Sequence, residues 1–91
     1  MKYRGRTEIV ATMLEAANGR ATKTKIMYSA FLSYTQLKDY LSVMIENNLL
    51  ECLDGTRTFK TTEKGLNFLK MHNEIGELLQ TAVRNDNDKS I

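Results

Sequence analysis

The chain has 91 residues, of which 42% are hydrophobic and 26% are charged. This length suits one domain, and this balance is too apolar for an intrinsically disordered chain. No apolar run approaches the roughly 18 residues that a membrane helix requires, and the opening segment MKYRGRTEIV lacks the apolar centre of a signal peptide. We therefore expect a cytoplasmic protein without a membrane partner.

The basic residues are concentrated in the first part of the chain, although the formal net charge is only +2. Residues 1–40 hold seven basic and three acidic residues, a net charge of +4, whereas residues 41–91 hold six basic and eight acidic residues, a net charge of −2. A basic surface of this kind is typical of nucleic-acid binding. The sequence pI near 8.8 lies slightly below the usual range for that class, so charge alone leaves the question open.

Cysteine and histidine are too few to build most catalytic or metal sites. Cys52 is the only cysteine and His72 the only histidine, so one chain forms neither a disulfide nor a zinc site from them. Cys52 lies in the apolar segment LLECL, which favours a buried structural thiol over a reactive one. With no nucleophile–base set and no glycine-rich phosphate loop, the sequence predicts a protein that is not an enzyme and has no cofactor or metal.

Two helices are predicted in the first thirty residues. The segment TEIVATMLEAANG has apolar residues at helical spacing, with Thr7 as its candidate cap and Gly19 as its stop. The following RAT is either a very short strand or a connector. The segment TKTKIMYSAF predicts a short second helix capped by Thr22 or Thr24, with an apolar inner face.

A third helix is predicted over residues 34–46, after a tight turn. Ser33 occupies the N-cap position and Gln36 follows three residues later, which is the spacing of a capping box. Asn47 and Asn48 end the helix, because asparagine tolerates the left-handed backbone conformation. The buried stripe is predicted to consist of Leu37, Leu41, Met44 and Ile45.

A β-hairpin follows, because LLECL and TRTFKT favour strands and are separated by Asp54-Gly55. Asp-Gly between such segments is a strong signal for a tight hairpin turn. We expect Arg57 and Phe59 to point to one side of the second strand, and Lys60 to the other.

The last helix is predicted over residues 63–85, and the tail 86–91 is predicted to be frayed. Leu66 and Leu69 are expected to pack under the first helix. A second stripe has the spacing of a coiled-coil seam and is predicted to form a dimer interface: Phe68, Met71, Ile75, Leu78 and Ala82. The alternative is that the whole helix folds back onto its own domain.

The order helix, helix, turn, helix, hairpin, helix is that of a winged helix-turn-helix domain, a mainly α fold with a small β-hairpin. Residues 1–62 form the predicted DNA-binding head, followed by a C-terminal dimerisation helix. In this architecture the third helix enters the major groove of DNA, and the hairpin, or wing, at residues 53–60 lies on the backbone.

The sequence also resembles a family of small archaeal winged-helix DNA-binding proteins of about ten kilodaltons. The resemblance covers residues 2–79, and its most specific parts are TKTKIMY, LSYTQLKDYL and the TTEKG that opens the last helix. The resemblance implies a homodimer joined by an antiparallel coiled coil of C-terminal helices. It also implies a DNA-binding, chromatin-like or transcription-regulating role, and hence a nucleoid-associated location.

The candidate DNA-binding residues lie on three elements. On the third helix they are Tyr34, Thr35, Lys38 and Ser42; on the second helix Lys23 and Lys25; on the wing Arg57 and Lys60. Side chains on the third helix are expected to contact bases, and the cations elsewhere are expected to contact phosphates. For each of these residues the alternative is a side chain that only faces solvent.

Two functions from different classes remain open at this point. The first is a dimeric double-stranded DNA-binding protein, either sequence-selective or architectural. The second is a winged-helix protein–protein interaction module without direct DNA contact, since a fold does not by itself determine a function.

Overall fold

The computed structural model describes the backbone of residues 5–53, 55 and 57–90, and the side chains of this range as far as residue 79. The elements in chain order are α1 (Arg6–Ala16), β1 (Ala21–Thr22), α2 (Lys23–Ser29), α3 (Tyr34–Glu46), β2 (Leu50–Leu53), β3 (Thr58–Thr61) and α4 (Glu63–Ser90). This order confirms the predicted mainly helical fold with a hairpin. It also shows that the segment RAT contributes a strand, β1.

The three strands form an antiparallel sheet in the order β1-β3-β2, so β3 is central. Phe59 lies opposite Ala21 of β1 and opposite Cys52 of β2. Phe59 is buried and Lys60 is exposed, which confirms the alternation predicted for these two residues. Cys52 is exposed, so the prediction of a buried thiol is wrong. Cys52 lies in an edge strand and has a sheet neighbour on one side only, whereas Phe59 is flanked on both sides.

The hairpin loop is longer than the sequence predicted. Leu53 pairs with Thr58, so four residues, 54–57, connect β2 to β3 instead of the expected two. Gly55 has a φ of 80° and Arg57 a φ of 55°, so two positions of this loop need the left-handed conformation. Arg57 therefore belongs to the loop, and the prediction that it shares a strand face with Phe59 is wrong.

Local hydrogen bonds define the starts of α2 and α3 as the sequence predicts. The Thr22 side chain accepts a bond of 3.2 Å from the Lys25 backbone N–H. The Ser33 hydroxyl accepts from the Gln36 backbone N–H at 3.2 Å, and the Ser33 N–H donates to Gln36 Oε1 at 3.0 Å, which completes the capping box. The start of α1 differs, because Gly5 is the N-cap and Thr7 lies inside the first turn. The prediction that Thr7 caps α1 is wrong.

The core of the head lies between the three helices and the inner face of the sheet. Its largest fully buried side chains are Met13, Leu14, Ile26, Leu37, Met44 and Leu50. Ile45 is 38% exposed, so the prediction that it belongs to the buried stripe of α3 is wrong. Ile45 lies seven residues, close to two helical turns, beyond the exposed Lys38, and therefore shares its side of the helix.

The start of α4 is bonded tightly to the rest of the head. The Thr61 hydroxyl donates to the Leu14 carbonyl oxygen at 2.6 Å, and the Thr62 hydroxyl donates to the Asn48 carbonyl oxygen at 2.6 Å. The Thr62 hydroxyl also accepts from the Gly65 N–H at 3.0 Å, as expected for the capping threonine of α4. These bonds satisfy carbonyl groups at the ends of α1 and α3 and fix the direction in which α4 leaves the head.

The last helix packs on the head at its first turns and then extends away from it. Leu69 is buried as predicted, but Leu66 is 41% exposed, so the expectation that Leu66 packs under α1 is wrong. With 28 residues, α4 is about 42 Å long at 1.5 Å per residue. It continues through residues 86–90, five positions beyond the end predicted from the sequence.

Candidate nucleic-acid interface

The polar face of α3 is open to solvent along its length. Tyr34, Lys38 and Ser42 are spaced four residues apart and form one exposed stripe, and Thr35 lies beside it. The opposite side of the helix packs into the core through Leu37, Leu41 and Met44. Because its buried side is held by the core, α3 presents the four predicted DNA-binding side chains together on one surface.

Two members of the exposed stripe contact each other. The Nζ atom of Lys38 lies 5.6 Å from the centroid of the Tyr34 ring, within the range of a cation–π interaction. This contact orients the ammonium group along the first turns of α3. Lys38 is therefore a cation held near the N-terminal end of α3. Helix-turn-helix proteins direct this end of their third helix at base edges.

Lys23 and Lys25 are exposed in the first turn of α2. The Lys25 backbone N–H is already bonded to the Thr22 side chain, so it has a partner within the chain. The Lys25 N–H is therefore already engaged, whereas the ammonium groups of Lys23 and Lys25 are exposed and available for separate phosphate contacts.

The two wing cations differ in their surroundings. Arg57 is exposed in the loop between β2 and β3, with a φ of 55°. Lys60 is exposed on β3, directly opposite Glu51 of β2. An opposite charge in the facing position of an antiparallel pair offsets part of the Lys60 charge. Arg57 is therefore the stronger phosphate candidate of the two.

One acidic side chain lies on α3 next to the exposed stripe. Asp39 is exposed one helical turn after Thr35, and it lines an open cavity of about 380 Å³ between α1 and α3, together with Arg6 and Val10 of α1 and Tyr40 and Val43 of α3. A carboxylate in this position repels phosphate, so Asp39 marks the border of the surface that we assign to DNA.

The tight turn predicted between α2 and α3 is present, but sequence reasoning missed the aromatic side chains that it exposes. Phe31 is 83% exposed and has a φ of 55°, and Tyr28 before it is also exposed. The sequence does contain a signal at this place, because residues 16–38 include no aspartate or glutamate. The same segment holds four cations: Arg20, Lys23, Lys25 and Lys38.

The predicted seam of α4 divides into an inner and an outer part. Phe68 is half-buried against the head and stacks on His72, with ring centroids 6.3 Å apart. Met71, Ile75 and Leu78 are each more than half exposed. Ala82 lies beyond the described side chains. Over the part of α4 that is described, the head covers the beginning of the stripe and leaves its continuation open.

Within the described ranges, no group of three or more histidine, cysteine, aspartate or glutamate side chains is arranged to hold a metal ion. None of the helices in the described part of the chain has the length and apolar character needed to cross a membrane.

Three helices, a hairpin beside the third helix, and a short strand that completes the sheet define a winged helix-turn-helix domain. The chain belongs to the winged helix-turn-helix family, whose sequence profile matches residues 3–80.

The fold is similar to the crystal structure of Sso10a-2, described as a DNA-binding protein from Sulfolobus solfataricus. The TM-score is 0.84 at 20% sequence identity, and the match covers 96% of this chain and 94% of that chain. At this identity the similarity establishes a shared fold. Comparison with curated proteins gives no match.

Proposed function

We propose that this protein is a non-enzymatic, double-stranded DNA-binding protein of the nucleoid, in which α3 enters the major groove. The observation that carries the proposal is the exposed polar stripe of α3, which lies opposite the buried face that fixes the helix in the head. The winged helix-turn-helix family and the fold shared with a DNA-binding protein support the same function.

The α3 residues have different roles in this proposal. Lys38 donates to guanine O6 or N7, or to a phosphate. Its contact with the Tyr34 ring restricts the positions of the ammonium group. Thr35 and Ser42 carry hydroxyl groups that bond to several bases or to phosphate, so they add affinity with little selectivity. Tyr34 supports Lys38 and contributes an aromatic surface at the start of the helix.

Cations outside α3 position the head on the backbone. We assign phosphate contacts to Lys23, Lys25 and Arg57, and a weaker one to Lys60 because Glu51 lies opposite it. Each contact releases counterions from DNA, so affinity should fall as salt rises. Phosphate contacts fix the register of the head, and α3 supplies whatever sequence preference the protein has.

We further propose that two chains form a homodimer through the open part of the α4 stripe. Met71, Ile75 and Leu78 repeat at intervals of four and three residues and are exposed. An apolar stripe on a helix that extends away from its head is stabilised when a second copy covers it. The proposed interface is therefore centred on Met71, Ile75 and Leu78. Phe68, half-buried against its own head, borders it on one side, and Ala82 continues the seam on the other.

One observation favours the second candidate function, a protein–protein interaction module. Val43 on α3 is exposed beside the polar stripe, and Tyr28 and Phe31 are exposed at the preceding turn. An apolar surface of this kind also suits a protein partner. The acid-free segment 16–38 favours DNA over that alternative, because a polyanion interacts with every cation in it.

The experiment that separates the two is a titration with DNA selected from a random duplex pool, followed by the same titration with Thr35→Ala and Lys38→Ala. Both variants keep the core intact. Weakened binding to the selected duplex supports DNA recognition by α3. Unchanged binding would assign the polar stripe to solvent and favour the protein-interaction module.

A further inference from the structure

The turn that joins α2 to α3 contains a phenylalanine in a backbone conformation that favours glycine. After the last residues of α2, the Phe31 N–H donates to the Tyr28 carbonyl oxygen at 3.3 Å, and the Leu32 N–H donates to the Met27 carbonyl oxygen at 3.1 Å. This pair of bonds is the Schellman motif that ends many helices, and its left-handed position is usually glycine. Phe31 holds that position with a φ of 55°, which is unfavourable for a bulky side chain.

The end of α3 has the same motif with a residue that suits it. Asn48 has a φ of 61°, its N–H donates to Ile45 at 3.0 Å, and the Leu49 N–H donates to Met44 at 2.8 Å. Asparagine tolerates the left-handed conformation, so α3 ends without the cost that a bulky residue brings. The comparison shows that this fold can form the motif with a small polar residue.

Packing in the head does not explain the phenylalanine. Phe31 is 83% exposed, the highest value among the large hydrophobic side chains whose positions are described. Tyr28 on one side of it and Tyr34 on the other are also exposed. Phe31 therefore has an unfavourable backbone conformation and no compensating burial in the head. We take this combination as a sign that its side chain contacts a bound partner.

The charges of the chain segment that carries these aromatic residues point to a nucleic acid as that partner, and one of the cations, Lys38, contacts the Tyr34 ring. Tyr28, Phe31 and Tyr34 all lie in the segment 16–38, which contains four cations and no acidic residue. Phe31 also lies two residues before Ser33, the N-cap of α3. The N-terminal residues of a recognition helix are those that contact base edges in the major groove.

We infer that Phe31 is a DNA-contacting residue that packs against the C5-methyl groups of thymine in the major groove, beside the start of α3. Apolar contact with this methyl group is how phenylalanine distinguishes thymine from the other bases. Phe31 would thus add sequence preference that the hydroxyl groups of Thr35 and Ser42 do not provide. This inference rests on the proposed DNA-binding function.

Phe31→Gly tests the inference without loss of the fold. Glycine suits the positive φ, so thermal unfolding of the variant should occur at the same temperature as wild type or higher.

The binding experiment compares two duplexes. One is selected from a random pool, and the other is the same duplex with deoxyuridine in place of thymine, which removes only the methyl groups. For wild type we expect an affinity loss of about fourfold for each methyl group that Phe31 contacts, the equivalent of burying one methylene-sized group. For Phe31→Gly we expect weaker binding to the thymine duplex and no further loss with deoxyuridine.

Asn48→Gly is the matched control, because it makes the same kind of substitution at the corresponding position of α3. This variant should bind both duplexes like wild type. If Phe31→Gly binds the selected duplex as tightly as wild type does, the inference is overturned but the proposed function stands. Equal wild-type affinity for the thymine and deoxyuridine duplexes, or a selected site without thymine, would overturn it as well. A wild type that binds no duplex would overturn the proposed function itself.

Discussion

The ammonium group of Lys38 lies 5.6 Å from the centre of the Tyr34 ring, one helical turn away on the exposed side of α3. This contact joins the first residue of α3 to the cation that we assign to DNA. It restricts the lysine side chain before DNA arrives, so less conformational entropy remains to be lost on binding.

Lys38→Ala should weaken DNA binding and leave stability within about 0.5 kcal/mol of wild type, as for other surface substitutions. If Lys38 contacts a guanine edge, preference at that base pair should fall by about 1–3 kcal/mol. Binding titrations against single-base variants of the selected duplex measure this preference. Lys70→Ala, which removes an exposed lysine from α4, is the control for charge alone. Equal losses for both variants would argue against a specific role for Lys38.

Arg57→Gly should reduce affinity for all duplexes by a similar factor, because the wing arginine is assigned to phosphate. Glycine preserves the positive φ of 55° at this position, so the loop keeps its conformation. The slope of log K against log salt concentration should become less steep by about 0.9, the value for one phosphate contact. Lys60→Ala should change the slope less, because Glu51 lies opposite. An unchanged slope in Arg57→Gly would place this arginine in solvent.

The sequence predicted elements whose hydrogen bonds are local. The bounds of α3 and its Ser33–Gln36 capping box follow from side chains three residues apart, and Asn48 ends the helix in the left-handed conformation as expected. Such bonds form between neighbours in the chain, whatever surrounds them. The order of elements, and therefore the winged helix-turn-helix class, could be predicted from this kind of signal.

Two of the failures, the Thr7 cap of α1 and the length of the hairpin loop, are local. Others concern residues whose surroundings come from distant parts of the chain. Cys52 was expected to be buried, but its exposure depends on the edge position of β2 in the sheet. Leu66 follows an apolar pattern and still lies partly outside, because the direction of α4 is fixed by bonds from Thr61 and Thr62 to α1 and α3. The sequence predicts the tight turn that contains Phe31, but the exposure of this side chain depends on how the surrounding helices pack.

Gly65→Ala should destabilise the head by about 1–3 kcal/mol, the range for inserting a group into a packed core. A β-carbon at this position would overlap the Leu49 carbonyl oxygen and would lie 2.7 Å from Thr61 Cγ2. Gly76→Ala is the matched control on the same helix, because a β-carbon there meets nothing within 4 Å. That substitution should stabilise the protein by about 0.5–1 kcal/mol. Urea unfolding measures both variants, and equal effects would contradict the close approach of α4 to the head.

Replacing Ile75 and Leu78 with lysine should convert the proposed homodimer into monomers whose heads remain folded. The two charges would be placed in the stripe that we expect a second copy to cover. Sedimentation at tens of micromolar measures the mass, and circular dichroism checks the fold. Asn73→Lys adds a lysine on the other side of α4 and should leave the dimer intact. A wild-type protein that sediments as a monomer would contradict the dimer proposal.

The most direct test of DNA binding by this winged helix is the affinity of the wild-type protein for random duplex DNA over a series of salt concentrations. Four cations per head are assigned to phosphates: Lys23, Lys25, Arg57 and Lys60. If each contributes, log K should fall linearly with log salt concentration, with a slope of about −3 to −4 per head. Absence of binding at low salt, or an affinity that does not change with salt, would contradict DNA binding through these residues.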